Sequence, residues 1–122
     1  TPFSCLEVFT RDSKYMFLFY SQEEGIRSGF IAKINNREYF NSFLQEWETT
    51  IRTDLGPIFL GQETGMLVNE EFQTGNYRGA NIRYLNFVDS SFAIDYAIIN
   101  DYFILATSKD SMFEIVDRVL GE

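Results

Sequence analysis

Between Ser91 and Gly121 the chain spells out a strand, a tight turn, a second strand and a helix, each with its buried face legible. Phe92, Ile94, Tyr96 and Ile98 alternate with Ala93, Asp95 and Ala97, the two-residue period of a strand with distinct faces. Asn100-Asp101 suits a two-residue turn that needs positive φ at both centres, which Asn and Asp tolerate better than most residues. Tyr102 to Thr107 is aromatic and β-branched again. Ser108 is then placed to cap a helix, and Asp110 favours its positive end. Met112, Ile115, Val116 and Val119 form the helix stripe, with Gly121 as its stop. A hairpin running straight into an amphipathic helix predicts a sheet covered by that helix.

The rest of the chain extends the same pattern. Phe3 to Thr10 reads as a strand, Arg11 to Lys14 as a turn, and the aromatic run Tyr15 to Tyr20 as a strand buried on both faces. Ser21 to Ser28 is polar and reads as a solvated connection to a third strand, Gly29 to Ile34. Asn35 or Asn36 supplies a cap, with Glu38 three residues after Asn35 in the manner of a capping box. Phe40, Phe43, Leu44, Trp47 and Ile51 then recur on one helical face, and Gly56-Pro57 stops the helix near Asp54 or Leu55. Full burial of Trp47 would make Trp47→Ala cost about 3–5 kcal/mol. Ile58 to Leu60 is a short apolar piece and Gly61 to Gly65 a loop. Leu67 to Tyr77 leads into a hairpin for which Gly75 and Gly79 compete as turn sites. Asn81 to Val88 is a firmer strand, with Ile82 and Tyr84 facing one way and Arg83, Leu85 and Phe87 the other.

Composition narrows the chemistry. At 122 residues with 45% hydrophobic content, one core suffices. The 13 Phe and 7 Tyr belong in a sheet core rich in rings. A net charge of −8 argues against holding phosphate backbones or anionic membranes, both of which call for clustered Lys and Arg. Histidine is absent and Cys5 is the only cysteine, which removes histidine triads, common zinc sites and any intrachain disulfide. Cys5 lies in an apolar strand and reads as a small buried hydrophobe. No glycine pattern cradles phosphate, and there is no N-x-[ST] acceptor.

Carboxylate pairs remain: Glu23-Glu24, Glu46 and Glu48, Glu70-Glu71, with Asp89, Asp95 and Asp101 near strand ends. Acid and base work in glycoside hydrolysis needs two carboxylates facing across a cleft, a geometry that sequence neighbours rarely meet because they diverge on helices and strands. A solvated acidic face is the expectation. Oxygen ligands for calcium are plentiful in Glu63 to Glu71 and in Asp89 to Ser91, but no EF-hand loop is present. Asp95, flanked on its face by Ala93 and Ala97, either faces solvent or approaches another backbone closely, and solvent is expected.

Phe43 to Phe59, with Trp47-Glu48, Asp54-Leu55 and Pro57-Ile58-Phe59, and Ile82 to Leu120, with Arg83-Tyr84-Leu85-Asn86, Asp95-Tyr96-Ala97-Ile98 and Thr107-Ser108-Lys109-Asp110-Ser111, resemble the extracytoplasmic part of uncharacterised membrane-anchored bacterial proteins, including ones from candidate phyla. The resemblance covers about half the chain. It implies a surface-anchored ectodomain with an N-terminal transmembrane segment outside this sequence, and it transfers no functional residues. The chain opens Thr1-Pro2 without an initiator Met and has no apolar run long enough for a bilayer or a signal.

Together these readings predict a single α+β domain over residues 1–122, part of a longer protein. It should have a mostly antiparallel sheet of about five to seven strands and two amphipathic helices, Asn36 to Leu55 and Ser108 to Leu120, packed on one face. The expected function is a non-catalytic structural or interaction module of a bacterial surface protein. It would contact a protein partner or a second copy through an aromatic sheet face or edge. The alternative is a small-molecule or peptide binding domain with a pocket between helix and sheet, and an acid/base hydrolase using paired carboxylates comes third. Catalytic, cofactor and metal residues are expected to be none, and the location extracytoplasmic, with the cytoplasm left open.

Overall fold

Strand-forming residues dominate both ends of the chain, and in the computed structural model they join one sheet. The structure describes residues 3–9, 14–34, 37–55, 59 and 64–121, with backbone alone for 3–9, 14–18 and 22. Among these, β1 (Phe3–Phe9), β2 (Lys14–Gln22) and β3 (Gly25–Lys33) form one meander. The chain then leaves the sheet for α1 (Arg37–Trp47) and α2 (Ile51–Asp54). It returns at the far edge as a second meander, β4 (Gln73–Tyr77), β5 (Ala80–Asn86), β6 (Ala93–Ile99) and β7 (Tyr102–Ala106), and ends in α3 (Lys109–Val119). The sheet has seven strands in the order β1-β2-β3-β7-β6-β5-β4, and every pairing is antiparallel. The fold is α+β, as the sequence predicts.

The two meanders meet where β7 pairs with β3, Phe30 opposite Leu105 and Ile31 opposite Ile104. At that centre β6 and β7 are apolar on both faces, and each face carries its own core. Phe30, Leu85, Ile94, Tyr96, Phe103 and Leu105 pack with Phe40 and Leu44 of α1 and Ile51 of α2. On the opposite side Ile82, Ala97, Ile99, Ile104 and Ala106 pack with Met112, Ile115 and Val116 of α3. The two long helices therefore cover opposite faces of the sheet, which corrects the expectation of a single covered face. An amphipathic stripe says that a helix buries one side. It does not say which side of a doubly apolar sheet receives it.

Two other expectations give way. Residues 21–28 do not form a solvated connection: β2 and β3 run on to a short turn at Glu23-Glu24, and Arg27 is buried at 2% exposure. Its Nε donates to the Ser91 carbonyl at 2.7 Å and its Nη2 to Ser91 Oγ at 2.9 Å. The guanidinium lies 3.9 Å from the centre of the Phe92 ring. A charge looks solvent-bound in sequence until a distant loop supplies acceptors.

The predicted helix Asn36 to Leu55 divides at Glu48-Thr49-Thr50. Thr49 Oγ1 donates to the Glu46 carbonyl, and Thr50 Oγ1 to Asp54, local bonds that compete with a continuous helix. Trp47 is only half-buried, and its indole donates to Asp54 Oδ2 at 2.7 Å, so the condition for its large truncation cost is not met. The Asn35/Asn36 cap, the Gly56-Pro57 stop, Ile58, Leu60 and residues 61–63 lie outside the described residues.

Other local readings hold. Asn100 and Asp101 adopt φ of 49° and 67°, and Ser108 caps α3 by accepting from Ser111 N at 3.1 Å. Of the two competing turn sites, Arg78-Gly79 turns, both with positive φ, and Gly75 stays within β4.

Candidate functional site

The α3 face of β4, β5 and β6 carries a feature that packing alone does not explain. Asp95 lies in the middle of β6, opposite Tyr84 of β5 on one side and Ala106 of β7 on the other. It is 3% exposed, and its Oδ1 has no hydrogen-bond partner among the described residues. Burial of the charge, partly offset by the positive charge of Lys109, pushes its pKa up to about 7. The expectation that Asp95 faces solvent is corrected. β6 has α3 across one face and α1 with α2 across the other, so both faces of this strand are covered by helix.

Asp95 opens onto a pocket of about 250 Å³ between α3 and the sheet. Gly75 of β4 and Tyr84 of β5 form one wall. A side chain at Gly75 would start 3.2 Å from Tyr84 Cε1, so glycine gives this ring its place. Lys109 and Phe113, from the first two turns of α3, form the opposite wall, with Asn76 and Asn86 also at the lining and Ile82 completing it. Phe113 stacks on Tyr77, centroids 3.9 Å apart and planes 4° from parallel. Lys109 Nζ lies 5.4 Å from the centre of the Phe113 ring.

The pocket is braced from below. Tyr77 donates its hydroxyl to Asp117 at 3.0 Å, and Arg78 Nη1 bonds the same carboxylate at 2.9 Å. The hydrogen bond to Asp117 raises the Tyr77 pKa, and the hydrogen bond from Arg78 holds Asp117 below its usual range. These bonds tie α3 to the β4–β5 hairpin and fix the walls.

A second polar cluster lies on the opposite sheet face and is fully matched. Glu48, just past α1, accepts from Arg83 Nε at 2.8 Å and Nη2 at 2.7 Å and from the Tyr96 hydroxyl, while Arg83 Nη1 donates to Thr74 at 2.8 Å. Burial acts to raise the Glu48 pKa, but the hydrogen bonds from Arg83 and Tyr96 and the guanidinium charge hold it below its usual value. Burial and the bond to Glu48 raise Tyr96, and the bond to Glu48 raises Arg83. With its hydrogen bonds satisfied, this cluster is a brace between helix and sheet.

The acidic pairs do not converge. Glu23, Glu24, Glu46, Glu70 and Glu71 are exposed, and Asp89 turns back to accept from Ser91 N and Oγ. Among the described residues no three metal-ligating side chains gather, and no helix is long and apolar enough to cross a membrane. The pocket lining contains a single carboxylate. In chemical terms, Asp95 is an acceptor lacking a donor, poised to exchange a proton near neutral pH. Sequence reasoning named no site residue. The available signal was one carboxylate in Ala93–Ile99, a strand otherwise made of aliphatic residues and Tyr96.

No family model, curated protein or solved structure matches the chain.

Proposed function

We propose that this domain is a non-catalytic binding module that takes a small ligand in the pocket between α3 and the sheet, with Asp95 as its polar anchor. The observation that carries this reading is the buried Asp95 Oδ1 without a partner among the described residues. A buried carboxylate oxygen left unsatisfied costs about 1–3 kcal/mol or more, so a donor from a ligand would recover what folding gives up. The concave site combines aromatic walls with a few convergent polar groups, the usual makeup of a ligand pocket. Its volume of about 250 Å³ lies below the roughly 300–1,000 Å³ of drug-sized sites, which favours a metabolite-sized occupant.

Ligand-observed NMR with a panel of amino acids, small amines, amides and sugars tests this reading. Binders whose signals are lost with Asp95→Asn support it. No binder at millimolar concentration, or binders indifferent to Asp95→Asn, overturns it.

A second reading, contact with a protein partner, is favoured by an apolar strip beyond the edge of β5. Val88 N donates to the Met66 carbonyl and Val68 N to the Asn86 carbonyl, which sets Met66, Val68 and Val88, exposed at 76%, 66% and 67%, on adjoining chain segments. Concentration-dependent sedimentation tests self-association. A strict monomer, unchanged by Val68→Lys, counts against a homotypic interface.

A further inference from the structure

We infer that the ligand is a small zwitterion of the free amino acid kind, its ammonium bound by Asp95 and its carboxylate turned toward Lys109. This rests on reading the pocket as a ligand site. Asp95 and Lys109 line the same small volume and carry opposite charges, yet they form no ion pair. Lys109 instead rests near the face of Phe113. Two opposite charges held apart across one cavity are the complement of a molecule with the reverse dipole.

Single-charge ligands fit less well. A simple ammonium would satisfy Asp95 and meet the repulsion of Lys109, and a simple carboxylate would do the converse. A dipolar ligand is attracted at both ends. The first turn of α3, a run of eleven residues, adds positive potential on the carboxylate side, reduced in part by Asp110 in that same turn. Tyr84 and Phe113 leave apolar wall between the two charges for a short carbon skeleton, and the Asn86 side-chain amide, on the same strand face as Ile82 and Tyr84, provides a further donor and acceptor. The volume of about 250 Å³ suits a metabolite-sized ligand better than a nucleotide or a longer peptide.

The test is titration calorimetry on the full chain at about pH 8, where Asp95 is mostly ionised. The probes are glycine, alanine, serine, leucine and γ-aminobutyrate, with ethanolamine and ethylamine as ammonium-only ligands and propionate as carboxylate-only. At least one amino acid is expected to bind about tenfold or more tightly than ethanolamine and propionate. Lys109→Met, at an exposed position, should weaken that amino acid by about fivefold or more while leaving ethanolamine unchanged or tighter. Asp95→Asn, with folding confirmed by circular dichroism, should abolish both. Ethanolamine binding as tightly as every amino acid, with Lys109→Met without effect, overturns the zwitterion while leaving the pocket reading standing. So does binding confined to neutral compounds of the NMR panel. Absence of any Asp95-dependent binder in either experiment overturns both.

Discussion

Arg83 grips Glu48 with two parallel hydrogen bonds, Nε to Oε2 at 2.8 Å and Nη2 to Oε1 at 2.7 Å, across 35 residues of sequence. This fork joins the segment after α1 to the middle of β5. Arg83→Ala strands the mostly buried Glu48 carboxylate beside Tyr96 and should lower stability by about 1–3 kcal/mol, read by urea unfolding. Because Glu48 is held below its ordinary pKa of 4.5, its contribution is present above that value and is lost as pH falls through the folded pKa. The acid side of the stability profile should therefore flatten in the variant. A double-mutant cycle with Glu48→Gln showing no coupling would refute the brace.

Asp95 has the opposite sign. Its folded pKa of about 7 lies above the ordinary 3.8, so between those values the native state holds a proton that the unfolded chain has released. Stability should then fall as pH rises through this window, by a total of about 4 kcal/mol at most. The charged and titratable groups lining its pocket are Lys109 from α3 and Tyr84 from β5, and Asp110 shares the first turn of α3. Asp95→Asn should remove the slope and leave the protein more stable than the parent at about pH 8. Thermal unfolding between about pH 4 and pH 8 checks this, and parallel profiles for the two proteins would contradict it.

Gly75 sets the position of Tyr84. A methyl at Gly75 starts 3.2 Å from Tyr84 Cε1, so the ring must shift by a few tenths of an ångström. Gly75→Ala should cost no more than about 1 kcal/mol, whereas Gly75→Val, which crowds the wall further, should cost about 1–3 kcal/mol. Both should weaken any ligand of the Asp95 pocket more than they weaken folding. Unchanged affinity with Gly75→Val would place the ligand elsewhere.

The β6–β7 turn depends on two residues in left-handed backbone, Asn100 at φ 49° and Asp101 at φ 67°. Asp101→Val places a β-branched side chain in that conformation and should destabilise by about 1–2 kcal/mol, while Asp101→Gly should be neutral or mildly stabilising. Denaturant midpoints for the two variants decide it, with equal midpoints counting against a strained turn.

Elements whose evidence is local were legible in the chain. The alternation in β6, the Asn100-Asp101 turn, the Ser108 cap and the stripe of α3 each depend on neighbours within a few residues, so their physics is written in adjacent letters. The choice of sheet face for each helix was not legible, because β6 and β7 offer apolar residues on both sides. Arg27 and Asp95 were misjudged for a related reason. A charge in a strand looks solvent-bound until partners come from far along the chain, as Ser91 does for Arg27 and as α3 does in covering Asp95. Periodicity and capping settled which segments become strands and helices. Burial, and with it the Asp95 pocket, emerged only when segments distant in sequence closed over one another, since desolvation is a property of the assembled core.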